Sequence, residues 1–207
     1  MVDESWGRGR DSAPKKVQTV LPIPESPKRD GRVAYSSFEG ATGPDPRHAG
    51  SADVVEGLRR IIAIEGPMLT KRAYDIYLRG CGIRRMGRDI KHAMNKALQL
   101  AVRRGAVLSE DESAKGGLLY SIVRSAGVPP VIERDRGPRS FDEIPPSELQ
   151  LIARRLCAKS GMKPGSDASL RATLEFLELK RLTTQVGSAI LDALQRRFPY
   201  VDEMLRE

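Results

Sequence analysis

The chain has 207 residues, with 35 Lys and Arg against 27 Asp and Glu and a formal net charge of +8. Two cysteines and two histidines are too few for a disulfide framework or a four-thiolate zinc site, and leave little for a histidine-based active centre. No apolar run approaches the roughly 20 residues of a membrane span and the opening MVDESWGRGR has no apolar signal core, so the expectation is a soluble, cytoplasmic, basic protein that binds rather than catalyses.

Residues 1–50 are rich in Gly, Pro and Ser, and their one apolar cluster, Val17 to Ile23, is cut by Pro22 and Pro24. Such a composition buries too little apolar surface to offset ordering entropy, which predicts a disordered arm or linker. Trp6 within it reads either as an incidental tail residue or as a short docking motif. From Ser51 a helical period begins: Val54, Leu58, Ile61 and Ile62 share one stripe, with Ser51 or Asp53 as cap and Gly66-Pro67 as stop. A second helix is expected from Thr70, as N-cap, to Arg79, closed by Gly80-Cys81-Gly82. A third runs from about Gly87 to Arg103, with Ile90, Ala93, Met94, Ala97, Leu98 and Ala101 at three- and four-residue spacing.

The period then changes. Ala106-Val107-Leu108 and Leu118 to Val123 are short β-prone runs around a polar, glycine-containing loop, which reads as a hairpin. Three helices followed by a hairpin is the order of a winged helix-turn-helix. An extended run, Val131 to Arg136, precedes a second helical region. Its helices are expected to open at Ile144-Pro145-Pro146-Ser147-Glu148, to span Ser166 to Leu174, and to run from Leu182 or Thr183 to Phe198, where Pro199 marks the end. Shifting the sequence by 96 residues aligns Ile83-Arg84-Arg85-Met86 with Leu179-Lys180-Arg181-Leu182, and Ile90, Met94, Ala97 and Leu98 with Val186, Ile190, Ala193 and Leu194. The expected fold is therefore mainly α with a small β-hairpin. It comprises two tandem winged-helix-like units, 51–136 and 137–207, behind a disordered arm over 1–50, the second unit being a degenerate repeat of the first.

Several short motifs recur in one order: Ile64-Glu65-Gly66-Pro67, Gly82 to Gly87, Glu133-Arg134-Asp135-Arg136, Glu143 to Glu148 and Leu179 to Thr183. On these the stretch from Val54 to Leu194 resembles the uncharacterised C-terminal domain attached to large bacterial proteins with a superfamily-1 helicase core and a very-short-patch-repair-like endonuclease domain. It departs from that pattern at Asp89, where the family carries a basic residue, and at Met86, where a small one is commoner. The resemblance implies a helicase or nuclease protein as partner. The chain itself has no GxxxxGK[ST] phosphate loop and no carboxylate-rich nuclease motif.

Charge is the strongest local signal. Between Arg79 and Arg104 there are eight Lys or Arg and one acid, Asp89. Arg88, Lys91, His92, Asn95 and Gln99 fall opposite the apolar stripe of the third helix, with Arg84, Arg85, Lys96 and Arg103 completing the set. Arg and Lys neutralise phosphates, while Arg, Asn and Gln pair with base edges. These nine residues are the candidate contacts to duplex DNA or another nucleic acid; the alternative is a solvated face. Glu110-Asp111-Glu112 in the expected wing would repel phosphates, so its tip should face away from DNA or contact a basic partner. Cys81 and Cys157 lack Cys or His neighbours at ligand spacing, so no metal, cofactor, catalytic residue or small-molecule substrate is expected. The rival reading is a protein–protein adaptor for a helicase-like partner.

Overall fold

The computed structural model describes residues 28–29, 32–113 and 116–206. Trp6 and the arm through residue 27 lie outside the described residues. Those that are described form a mainly helical protein with a small antiparallel sheet.

The first helix, α1 (Ser51–Glu65), buries Val54, Val55, Leu58, Ile61 and Ile62, the stripe its sequence announces. Its N-cap is Gly50, without a side-chain cap, so neither Ser51 nor Asp53 takes that place. Labelling strands from the amino end, Lys28–Arg29 (β1) pairs with Arg32–Val33 (β2). After α1, Met68–Leu69 (β3) leads into α2 (Thr70–Gly80). Leu69, not Thr70, is the N-cap of α2; the Thr70 hydroxyl instead donates to the Ser121 carbonyl at 3.1 Å. Helix α3 (Arg88–Arg103) buries Ile90, Met94, Ala97, Leu98 and Ala101 against α1. Then β4 (Val107–Glu110) pairs with β5 (Ile122–Ser125), and β5 also pairs with β3, giving the order β3-β5-β4. The hairpin is as expected, but Leu118–Tyr120 is a 3-10 turn rather than strand, and β3 is an addition.

The second half packs α4 (Pro146–Ser160) against α5 (Asp167–Phe176) and α6 (Thr184–Gln195). Pro199 does not end the helical region but occupies the first turn of a short helix, α7 (Pro199–Met204), where its missing N–H costs nothing. The run from Val131 to Arg136 contributes one isolated bridge, Arg134 to Val33, and Val131 is buried with Leu151, Phe198 and Val201 of the second half.

The helices recur at the 96-residue interval found in the sequence. The chain reversal after α2 returns after α5 hydrogen bond for hydrogen bond. Cys81 N–H donates to Tyr77 O, Gly82 to Arg79 O and Ile83 to Leu78 O; Leu177 donates to Thr173 O, Glu178 to Glu175 O and Leu179 to Leu174 O. Gly82 is left-handed at φ 74°, and Glu178, at the same place, is left-handed at φ 53°. Only glycine adopts this conformation without steric cost.

The expected disordered arm is corrected over residues 33–50, which are ordered against the body. Thr42 seats in a notch made by two glycines: a Cβ on Gly57 would lie 2.0 Å from the Thr42 carbonyl oxygen, and one on Gly80 2.2 Å from its Oγ1. The Tyr77 hydroxyl donates to the Pro44 carbonyl at 2.9 Å. Deeper in, Tyr35 donates from its hydroxyl to Glu65 Oε2 at 2.6 Å and from its backbone to Asp135 Oδ1 at 2.8 Å.

Three guanidinium carbons lie 4.2, 4.9 and 5.5 Å from the Tyr35 ring centre, those of Arg139, Arg134 and Arg72. Each has a carboxylate. Arg72 pairs with Glu65 at 2.7 Å and Glu143 at 2.9 Å, and Arg139 grips both oxygens of Glu148 at 2.8 Å. Arg134 bonds Glu148 at 3.1 Å and the carbonyls of Glu65 and Pro67 at 2.9 and 2.7 Å. Arg139 and Glu148 are each 1% exposed. Burial alone would raise the Glu148 carboxyl, but the charges of Arg139 and Arg134 and their hydrogen bonds outweigh it and hold it below the usual carboxylate range.

Removing one member of a buried ionic set strands the others in a poorly solvating interior. Glu148→Gln should therefore lower the unfolding free energy at neutral pH by about 3–5 kcal/mol, read from urea denaturation. Because the native carboxyl titrates below its unfolded value, this stabilisation is present at neutral pH. It should fade in the parent protein as pH falls below the usual carboxylate range, while Glu148→Gln shows no such loss. At the paired reversals, Gly82→Ala should cost about 1 kcal/mol and Glu178→Gly should gain up to about 1 kcal/mol, measured by the same denaturation.

Candidate nucleic-acid interface

The position of α3 follows from its two faces. The apolar one is held by α1, so the opposite one is turned outward over the whole helix, about 24 Å at 1.5 Å per residue. Arg88, Lys91, His92, Lys96, Gln99 and Arg103 are exposed on it, and Arg84 and Arg85 are exposed in the turn between α2 and α3. Eight of the nine expected contacts thus share one outward surface. The ninth, Asn95, is half-buried: its side-chain oxygen accepts a 3.1 Å bond from the Tyr74 hydroxyl, leaving its amide NH2 as the free end.

The ion pairs among the described residues lie elsewhere, although other exposed cations such as Arg171, Lys180 and Arg197 also stand outside them. Glu56, Asp75, Glu110, Glu133 and Asp202 pair with Arg59, Lys71, Arg124, Arg155 and Arg154, and Glu65, Glu143 and Glu148 belong to the arginine cluster around Tyr35. Among the described residues no ion pair involves Arg84, Arg85, Arg88, Lys91, Lys96 or Arg103. A solvated helix ordinarily mixes charge signs, whereas here only Asp89 interrupts the positive field.

The acidic run at the end of β4, expected to face away from DNA or to contact a basic partner, is largely engaged within the chain itself. Glu110 is engaged by Arg124 at 2.8 Å. Glu112 is 4% exposed and turns into the second half, where it accepts the Ser147 N–H at 3.0 Å and the Tyr200 hydroxyl at 2.5 Å. Its backbone carbonyl accepts from Arg196. Ser147 lies in the first turn of α4, so the carboxylate satisfies an otherwise unpaired helix-end donor. Asp111 is the one exposed acid of the three, and its Oδ1 accepts the Ser113 N–H. The repulsion expected of the triplet is thereby largely absorbed inside the fold.

Sequence reasoning missed the Tyr35 cluster, although Glu65, Arg134, Glu143 and Glu148 all lie in the motifs that carried the family resemblance. The three motifs that hold them meet at a buried junction, whereas Gly82 to Gly87 and Leu179 to Thr183 form exposed turns. Cys157 is buried and Cys81 half-buried, and both are free thiols. Among the described residues no three His, Cys, Asp or Glu side chains come together as a metal site, and no helix is long and apolar enough to cross a membrane. No family model, curated protein or solved structure matches the chain.

Burial raises the Glu112 carboxyl above its ordinary range, with its hydrogen bonds from Tyr200 and Ser147 opposing the shift. The native state therefore binds this proton more tightly than the unfolded chain, so the group contributes most at low pH and loses that contribution as pH rises through the raised value. Glu112→Gln, which keeps an acceptor without the charge, should unfold at a higher urea concentration than the parent at about pH 7, and the difference should narrow at about pH 5.

Proposed function

We propose that the protein is a non-catalytic, cytoplasmic nucleic-acid-binding module that docks on duplex DNA through α3. The proposed contacts are Arg84, Arg85, Arg88, Lys91, His92, Lys96, Gln99 and Arg103, with Asn95 offering its remaining amide donors. The observation that carries the reading is the dense, exposed basic surface of α3 and its preceding turn, which only Asp89 interrupts. The element order α1-β3-α2-α3-β4-β5, with the sheet ordered β3-β5-β4, suits a winged helix, in which a helix such as α3 enters the major groove. In this reading the second half is a degenerate copy that retains the three helices. Duplex is favoured over single-stranded nucleic acid because residues 79–104 include no Phe, Tyr or Trp on which unpaired bases could stack.

The family resemblance supports a role assisting a helicase or nuclease carried by another chain. As an adaptor, the protein would have used its acidic loop as a second contact, and the burial of Glu112 and pairing of Glu110 withdraw most of that charge.

Fluorescence anisotropy with labelled duplex across a salt series tests the reading. Log K should fall linearly with log salt with a slope of roughly −3.6 to −5.4, corresponding to about four to six phosphates. Arg85→Glu with Arg88→Glu should abolish binding at about 0.15 M salt without changing the melting temperature, since both side chains are exposed. Unchanged affinity in that variant would show that the face is wrongly assigned.

A further inference from the structure

We infer that the turn from Leu179 to Thr183 is a second phosphate contact, through Lys180 and Arg181, which adds affinity for duplex without reading sequence. The inference rests on the nucleic-acid reading above and extends it to the half of the molecule where α6, the counterpart of α3, carries no Lys or Arg.

The turn that presents Arg84 and Arg85 is fixed by three hydrogen bonds after α2, by left-handed Gly82 and by the following α3, whose Lys91 N–H donates to Gly87 O. Every one of these recurs 96 residues on, ending with Gly187 N–H on Thr183 O. Lys180 and Arg181 thus occupy the places of Arg84 and Arg85. Both are exposed, and among the described residues neither enters an ion pair.

The turn keeps this shape without the residue that favours it. Glu178 holds φ 53°, a conformation costly for a side chain with a Cβ, and strain of this kind persists where the surroundings impose it and clusters at functional turns. The helix that follows has diverged. Where α3 exposes Arg88, His92 and Lys96, α6 exposes Thr184, Ser188 and Asp192, and the place of Lys91 is taken by buried Gly187. A helix with Asp192 outward and no Lys or Arg cannot neutralise phosphates along a groove. The basic pair at its entrance still can, and contacts confined to phosphate position the protein while carrying no sequence information.

The test is the salt dependence of duplex binding by the full chain with Lys180→Gln and Arg181→Gln together. A control carries Lys159→Gln and Lys163→Gln, which remove the same charge from exposed positions near the end of α4. The slope of log K on log salt should become shallower by about 0.9 for each lost contact, about 1.8 for the pair. The loss should be the same for unrelated duplex sequences, and the control should keep the parent slope. A paired variant with the parent's slope and affinity overturns the second contact while leaving the α3 reading intact. So does a control that loses as much slope as the pair, because the effect would then belong to overall charge. A parent protein that binds no duplex even at low salt overturns both readings together.

Discussion

The fold depends on a set of opposite charges closed off from water around a tyrosine ring. Arg72, Arg134 and Arg139 face Glu65, Glu143 and Glu148, three cations against three anions, so the cluster is neutral as a whole. Neutrality alone would not keep it buried, because each ion gives up its hydration on entering the interior. What compensates is dense hydrogen bonding, which leaves Arg134 Nε as the one buried nitrogen of the three guanidiniums without a partner. Arg139 is held bidentate, Arg134 also satisfies the carbonyls of Glu65 and Pro67, and the Tyr35 ring closes one side with its π face toward the guanidiniums.

This arrangement also explains why the two halves do not behave as beads on a string. Glu65 and Arg72 belong to the first set of helices, Glu143 and Glu148 to the second, and Arg134 and Arg139 to the segment between them. Arg136 adds a bond to the Leu177 carbonyl at the end of α5. Directional charge pairs specify one arrangement where apolar contact would tolerate several. The basic face of α3 and the turn before α6 are therefore carried on a common support.

The legible part of the protein was the local part. Ile90, Met94, Ala97, Leu98 and Ala101 define the buried side of α3 by spacing alone, and once that side is known the basic side follows. Elements with too few residues to show a period escaped: β3 is two residues long, and α7 has six and begins with the proline that suggested a stop. The ordered segment around Thr42 has the composition of a linker, and what orders it is the absence of side chains at Gly57 and Gly80, inside helices where glycine is ordinarily a defect. Asn95 read as a free polar residue because its partner Tyr74 sits on another helix. Tyr35 and Glu148 are still further apart in sequence, and no window along the chain contains both.

The docking of the acidic loop onto the second half bears on the order in which the chain can be completed. A polypeptide leaves the ribosome amino end first. When β4 and β5 emerge, the donors that will receive Glu112 have not been made: Ser147 lies in α4, and Tyr200 comes 88 residues after Glu112. The first set of helices can bury its own apolar stripes at once, but its hairpin must keep a hydrated carboxylate at its tip until α4 and α7 have emerged. Nascent protein thus carries its full acidic triplet beside the basic helix, and that charge is withdrawn only once α4 and α7 have been made.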